Sequence, residues 1–246
     1  MVRPIFSLLF WVFMTASSIA LFPVAVAIWA LTAPFDHRKV VLHQFTCFWA
    51  ALYTWLNPAW RVTIRGREKL DSNRAVVLVA NHLSLLDILV LFRLFSHFKW
   101  VSKSENFRVP CIGWNMSLNR YIKLVRGNKQ SIVKMMEQCE EALADGSSIM
   151  MFPEGTRSTT GRMRSFKPGA FELALSSRVP IQPLVIRGSG DALPKRGFVL
   201  QGRHTITVTV LDPVLPDKFA DRTAEDLSHE LRNLIQCELD KTEYTT

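Results

Sequence analysis

The chain of 246 residues has little cysteine, and none of it is arranged for disulfide or zinc chemistry. No Cys-x-x-Cys pair is present, and no histidine stands beside a cysteine at the spacing of a zinc site. The four cysteines are Cys47, Cys111, Cys139 and Cys237. We therefore predict buried free thiols, with neither a disulfide framework nor a bound metal.

Charged side chains are missing from the first part of the chain. Residues 4–35 contain no Lys, Arg, Asp or Glu, and this run is long enough to cross a bilayer. It exceeds the apolar core of about 7–15 residues in a signal peptide, which disfavours cleavage. A polar turn at residues 32–39 separates it from a second uncharged run, residues 40–60. The second run could be a second span, an interfacial helix or a helix lying on the catalytic domain. We predict a two-helix element that docks on a membrane, with full spanning left open.

The overall composition disfavours several classes of protein. Hydrophobic residues make up 48% and charged residues 21%, values that disfavour a multi-spanning membrane protein and a disordered chain. A formal net charge of +9 comes without any RNP, zinc-finger or helix-turn-helix signature, so we expect anionic lipid, and no nucleic acid, as the partner. Arg61, Arg65 and Arg67 follow the apolar runs directly. By the positive-inside tendency they favour a catalytic domain on the cytoplasmic side of the inner membrane.

From residue 61 onward, short β-type runs alternate with helical patterns. The predicted strands are residues 61–65, 75–80, 147–152, 181–186 and 205–210. The predicted helices are residues 85–95, 129–144, 168–175 and 224–239. Such alternation is typical of an α/β sandwich. We predict one α/β catalytic domain over residues 61–246, preceded by the membrane-associated helices of residues 1–60.

A histidine and an aspartate follow the second predicted strand, in the segment Asn81-His-Leu-Ser-Leu-Leu-Asp87. With His82 in the loop and Asp87 in the first helical turn, the carboxylate can hold one imidazole nitrogen and leave the other free to accept a proton. An alcohol substrate at that nitrogen could attack a thioester directly, without an acyl-enzyme. Helix capping by both residues is an equally good interpretation of the pair alone.

Ser84, between these two residues, is interpreted as a helix cap and not as a nucleophile. Ser84-Leu-Leu-Asp87 has the form of a capping box. No Gly-x-Ser-x-Gly elbow surrounds the serine, so a hydrolase nucleophile is disfavoured.

The segment Phe152-Pro-Glu-Gly-Thr-Arg-Ser158 follows another predicted strand, at the edge where ligands bind in open α/β sheets. Arg157 offers a planar fork to phosphate oxygens, Thr156 can donate a hydrogen bond, and Gly155 with its neighbouring amides suits a phosphate. Glu154 is predicted to orient Arg157 or to bind a glycerol hydroxyl. Isolated strings of this kind are ordinary turns at least as often as sites.

Three further cations stand near these segments. We predict Lys103 and Arg126 close to the bound phosphate, although solvated surface charge is the commoner fate of such residues. Lys167, in Ser165-Phe-Lys-Pro-Gly169, supplies another cation just before a helix.

Together and in this order, the segments resemble the glycerolipid acyltransferase family, most closely its bacterial members that acylate 1-acyl-glycerol-3-phosphate. The resemblance covers residues 62–187 well. The four matching blocks are residues 81–87, 103–126, 152–157 and 179–183. Because four ordered blocks match, the resemblance is much more specific than any one motif.

The resemblance implies a glycerolipid-acyltransferase-like α/β sandwich that moves a fatty acyl group from an acyl-CoA or acyl-carrier-protein thioester to the sn-2 hydroxyl of 1-acyl-glycerol-3-phosphate. It implies His82 as base, Asp87 as its partner, and neither cofactor nor metal. Five acceptor-site residues follow from it: Lys103, Arg126 and Arg157 as phosphate ligands, with Glu154 and Gly155 shaping the site. The fourth block would line the acyl side.

One position departs from the family pattern. The second block often has a glycine where this chain reads Leu118-Asn-Arg-Tyr121, so Arg120 adds a charge. Neighbouring families acylate lyso-ornithine lipids or other lysolipids with the same base pair, and such an acceptor is the first alternative. A lipid thioesterase or hydrolase, or a non-catalytic membrane-binding protein, are the alternatives of a different class.

Overall fold

The computed structural model describes residues 2–158, 160–195 and 197–241, which fold into one mixed sheet with helices on both faces. The α-helices are α1 (Val2–Thr32), α2 (Val40–Trp55), α3 (Leu86–Phe92), α4 (Ile112–Leu118), α5 (Lys129–Ala144), α6 (Gly169–Ser177), α7 (Ser189–Ala192) and α8 (Ala224–Asp240). The strands are β1 (Trp60–Arg65), β2 (Val77–Ala80), β3 (Phe98–Lys103), β4 (Ile122–Leu124), β5 (Ser148–Met151), β6 (Ile181–Arg187) and β7 (His204–Val210). Short 3-10 helices are Arg67–Lys69, Ser104–Arg108 and Pro216–Lys218.

The sheet order is β1-β7-β6-β2-β5-β3-β4. Strands β6, β2, β5, β3 and β4 run parallel, whereas β7 is antiparallel to β6 and pairs with β1 in parallel. All five parallel strands therefore end at the same edge, called the carboxyl edge here, and begin at the opposite, amino edge. The predicted α/β class is confirmed.

Strand β2 is buried on both faces, as its continuous apolar run predicts. Val77 and Val79 contribute to one hydrophobic core with α5, α6 and α8. Leu78 and Ala80 contribute to the other core with α2 and α3. The strand is thereby fixed between two helical layers, and the loop that leaves it at Ala80 starts from a rigid position.

The two N-terminal helices differ in exposure. Helix α1 is long and apolar enough to cross a membrane by length and composition, and apolar side chains such as Leu9, Ile19 and Leu31 are exposed. Helix α2 packs on the domain, with Leu42 fully buried in the same core as β2 and α3. This core contains residues from both sides of residue 60. The predicted division into two domains at that residue therefore stays a prediction.

Strands β3 and β4 and helices α4 and α7 were not predicted from the sequence. Charged residues Lys99, Lys103 and Lys123 interrupt the apolar pattern of both strands.

One prediction about thiols was wrong: Cys237 is exposed, because it lies on the outer face of α8, while the other three cysteines are buried.

Candidate active site

The loop between β2 and α3 holds His82 against Asp87. Nδ1 of His82 lies 2.9 Å from Oδ2 of Asp87, and the aspartate is fully buried. The same oxygen accepts hydrogen bonds from the backbone N–H groups of Leu83 (2.7 Å) and Ser84 (2.9 Å). This fixed acceptor requires the proton on Nδ1, which leaves the lone pair on Nε2. The Nε2 atom makes no hydrogen bond within the described residues, and 13% of the side chain is exposed.

An aromatic stack fixes the plane of the imidazole ring. The ring of Phe152 lies parallel to that of His82, with centroids 3.8 Å apart and an interplanar angle of 8°. Behind it, the ring of Trp100 lies 5.4 Å from that of Phe152. Phe152 was quoted in the sequence motif without a role, and only the fold brings its ring onto the histidine.

Glu154 holds the histidine loop in place. Its Oε1 accepts the backbone N–H of His82 at 2.7 Å, and its Oε2 accepts that of Arg164 at 2.8 Å. Burial raises the pKa of Glu154, while these two donors and the nearby imidazole oppose the rise. The sequence predicted that Glu154 orients Arg157 or binds a glycerol hydroxyl. In the structure, both of its carboxylate oxygens accept backbone N–H groups. In return, the N–H of Ser158 donates to the carbonyl of His82 at 2.9 Å.

Ser84 has the role predicted for it. Its hydroxyl accepts the N–H of Leu86 at 3.2 Å, and the Asp87 carboxylate accepts the N–H of Ser84, as in a capping box. The hydroxyl also donates to the carbonyl of Leu193 at 2.6 Å, and the residue is fully buried. A buried hydroxyl that already makes two hydrogen bonds is unsuited to nucleophilic attack.

The loop after β5 brings two lysines beside the predicted phosphate ligands. Gly155 has a left-handed backbone (φ 68°), and a Cβ there would lie 3.2 Å from Cε of Lys167. The ammonium of Lys195 donates to the carbonyl of Arg157 at 2.6 Å. Arg157 and Thr156 are half-buried. Lys195 was missed from the sequence because 38 residues separate it from Arg157.

At the carboxyl edge, Lys103 is the last residue of β3, and Arg126 follows the end of β4. Continuing the register from β2 through β5 to β3 places Lys103 level with Asn81, two strand spacings or about 10 Å to the side. Lys103 lies 2.8 Å from Glu105 and lowers the pKa of that carboxyl to about 2. Exposed ion pairs contribute little, so a phosphate can displace Glu105. Arg126 is exposed.

The fourth matching block, residues 179–183, forms the start of β6. Ile181 and Gln182 are buried within the sheet, and the Gln182 amide donates to the carbonyl of Leu211 at 2.6 Å. Its predicted contribution to the acyl side stays a prediction.

The chain is similar in sequence to known acyltransferases. Residues 61–187 match the family model described as Acyltransferase. A 1-acyl-sn-glycerol-3-phosphate acyltransferase of Chlamydomonas reinhardtii is 35% identical over 95% of this chain and 70% of its own length. A chloroplastic relative of the same name from Arabidopsis thaliana is 35% identical over 84% of this chain, which spans 56% of that protein.

A solved structure shares the fold. The 1-acyl-sn-glycerophosphate acyltransferase of Thermotoga maritima superposes with a TM-score of 0.78 over 99% of both chains at 20% sequence identity. The arrangement of a seven-stranded sheet with an N-terminal helical element is therefore common to both proteins.

Proposed function

The chain belongs to the acyltransferase family, and from that premise we propose that it transfers a fatty acyl group from an acyl thioester to the sn-2 hydroxyl of 1-acyl-glycerol-3-phosphate. The product of this reaction is phosphatidic acid, the precursor of phospholipids. The names of the relatives support this acceptor, and the geometry at the carboxyl edge supports the chemistry.

The observation that carries the proposal is the hydrogen bond between His82 and Asp87. It leaves the Nε2 lone pair of a partly exposed imidazole free to take a proton, while the buried carboxylate stabilises the imidazolium that forms. Within the loop, the hydroxyl of Ser84 is buried and engaged, so the nucleophile has to come from the substrate.

The reaction then follows in two steps. In the first step, Nε2 of His82 takes the proton of the acceptor hydroxyl. The hydroxyl oxygen attacks the thioester carbonyl at the same time, which forms a C–O bond and a tetrahedral oxyanion. The oxyanion collapses, the C–S bond breaks, and the leaving thiolate takes the proton from the imidazolium. The histidine returns to its neutral state, so no cofactor or metal is needed in this scheme.

The cations around the carboxyl edge are assigned to the acceptor phosphate. Arg157 follows β5 and Lys103 ends β3, both on one side of His82 in the sheet order. Arg126 follows β4, which lies beyond them. A planar guanidinium can bind two phosphate oxygens at once. A phosphate bound on that side would leave the glycerol hydroxyl facing the imidazole.

Helix α1 is assigned to the membrane that contains the lipid acceptor. Its exposed apolar side chains and the net charge of +9 suit an anionic bilayer surface. We place the enzyme at the inner membrane with its catalytic edge on the cytoplasmic side, where acyl-CoA and acyl carrier protein are available.

The test is thiol release from palmitoyl-CoA and, separately, from palmitoyl-carrier protein by detergent-purified enzyme. Each donor is assayed with and without lysophosphatidic acid, and the His82→Ala variant serves as the blank. Release that requires lysophosphatidic acid and is absent from the variant supports the transferase and identifies the donor.

Release of thiol without an acceptor would instead favour a hydrolase. Release with lyso-ornithine lipid but not with lysophosphatidic acid would reassign the acceptor while leaving the chemistry intact.

A further inference from the structure

A polar cavity, called the amino-edge pocket here, lies at the edge of the sheet opposite the candidate active site. Its volume is about 320 Å³, and its cationic lining consists of Arg38, Lys99 and Arg120, with His37 beside them. Lys99 pairs through Ile149 with Val77, which is five residues before His82. At about 3.3 Å per residue, roughly 16 Å of strand separates the pocket from the histidine. The pocket is therefore distinct from the candidate active site.

The ammonium of Lys99 is buried without an opposite charge beside it. Only 4% of the residue is exposed, and Nζ donates to the carbonyls of Arg38 (2.6 Å) and Asn119 (2.8 Å). Across residues 2–158, 160–195 and 197–241, no carboxylate oxygen lies within 4.0 Å of the side-chain nitrogens of Lys99, Arg38 or Arg120. An ammonium has three donors, so one N–H of Lys99 is left for another acceptor.

Arg120 occupies a backbone position that favours glycine. Its φ is 55°, in the left-handed region, where a residue with a Cβ is strained and glycine is not. This chain keeps an exposed arginine there despite the strain, and the guanidinium lines the amino-edge pocket.

The acidic groups nearby do not neutralise this cluster. Both oxygens of Asp36 accept backbone N–H groups at the start of α2, from Val40 (2.7 Å) and Val41 (2.9 Å). Glu141 of α5 and Asp145, which follows that helix, also line the pocket, and among the described residues neither forms an ion pair with Arg38, Lys99 or Arg120. Burial first, and then Arg120, lowers the pKa of Lys99 to about 8, although Asp36 acts to raise this pKa. A bound anion would relieve this repulsion.

We propose that the amino-edge pocket binds the phosphate group of an anionic ligand through Arg38, Lys99 and Arg120. Arg38 already donates from Nη1 to the carbonyl of Gly146 at 2.9 Å, and its remaining N–H groups are left for the phosphate. The guanidinium of Arg120 supplies a planar pair of donors, and the third N–H of the Lys99 ammonium completes the set. The phosphate belongs either to a soluble phosphate compound or to the headgroup of a phospholipid. The proposal does not depend on the acyl-transfer assignment.

In the first test, the whole purified protein is titrated with inorganic phosphate at constant ionic strength, and calorimetry measures the binding. Arg120→Gly removes the charge and relieves the backbone, so it is expected to fold. Arg178→Gly is the matched control, because Arg178 is also an exposed arginine with a left-handed backbone, φ 52°. We expect Arg120→Gly to weaken phosphate binding about tenfold, and Arg178→Gly to leave it unchanged. Phosphate bound near Arg157 is common to all variants and cancels in the comparison.

The second test is flotation with vesicles of phosphatidylcholine alone or mixed with phosphatidylglycerol. If the natural phosphate is on a lipid, Arg120→Gly loses retention on the anionic vesicles relative to Arg178→Gly. A loss confined to the titration assigns a soluble phosphate compound. Equal behaviour of the two variants in both tests overturns the proposal, whatever the acyl-transfer assay gives.

Discussion

Both edges of the sheet bury charged side chains that are hydrogen-bonded to the backbone, but the charges at the two edges have opposite sign. At the carboxyl edge, the carboxylates of Asp87 and Glu154 each accept two backbone N–H groups around the histidine. At the amino edge, the ammonium of Lys99 donates to two backbone carbonyls. In each case the hydrogen bonds offset the cost of removing a charge from water.

The difference in sign decides what each edge can do. Carboxylates around an imidazole keep its proton on one nitrogen and stabilise the imidazolium, which suits proton transfer. Cations with an unused donor suit an anion instead. The loops that follow parallel strands converge only at the carboxyl edge, so a reaction that needs several side chains is expected there.

Loss of the imidazole should have the largest effect at the carboxyl edge. We expect His82→Ala to lower kcat by about 10²- to 10⁴-fold, the usual contribution of a general base. The exposed His229 on α8 gives the matched control, His229→Ala, which should retain full turnover. Circular dichroism of both variants checks that the fold is intact. Comparable turnover in the two variants would remove His82 from the mechanism.

Glu154→Gln should have the next largest effect, because the amide can replace only one of the two acceptors. Its NH₂ group would face the N–H of either His82 or Arg164, and a buried donor left unpaired costs about 1–3 kcal/mol. We expect kcat to fall about tenfold or more while the Michaelis constant for the acceptor changes little. The exposed Glu172 on α6 provides the control, Glu172→Gln. An unchanged kcat would mean that the histidine loop keeps its position without Glu154.

Arg157→Ala should act on binding more than on turnover. Removing a charge-assisted contact to phosphate is expected to raise the Michaelis constant for lysophosphatidic acid about tenfold. Arg178→Ala, remote from the carboxyl edge, is the comparison. The assigned role is wrong if both kinetic constants of Arg157→Ala equal those of the control.

The histidine and its partner could be predicted because they are close in sequence. His82 and Asp87 are five residues apart at a strand-to-helix junction, where local geometry alone brings them together. Strand β2 was likewise predicted from its continuous apolar run. Local pattern was sufficient wherever the determining contacts were local.

The remaining roles depend on contacts between distant segments. Glu154 reaches the N–H of His82 across 72 residues, and no spacing rule indicates that contact. Strand β3 escaped prediction because Lys99 and Lys103 break its apolar pattern. The structure accommodates Lys99 since its ammonium reaches backbone carbonyls at the end of the sheet.

The smallest predicted effect concerns how Lys99 makes stability depend on pH. Burial and then Arg120 lower the pKa of Lys99 in the folded protein from 10.5 to about 8. Between these two pH values, the unfolded chain therefore binds more protons than the folded protein does. The free energy of unfolding therefore contains a contribution that grows as pH rises from about 8 to 10.5 and is lost as pH falls through 8. Arg120→Gly should raise the folded pKa and reduce that growth by about 1 kcal/mol or less.

Urea unfolding of the whole chain at a series of pH values measures this contribution. Asp36, Arg38 and Lys39, the other charges that act on Lys99, are the same in all variants. Arg178→Gly should keep the full growth of the unfolding free energy with pH. If Arg120→Gly keeps it as well, the guanidinium of Arg120 does not act on the Lys99 ammonium, and the amino edge is a set of separate surface charges.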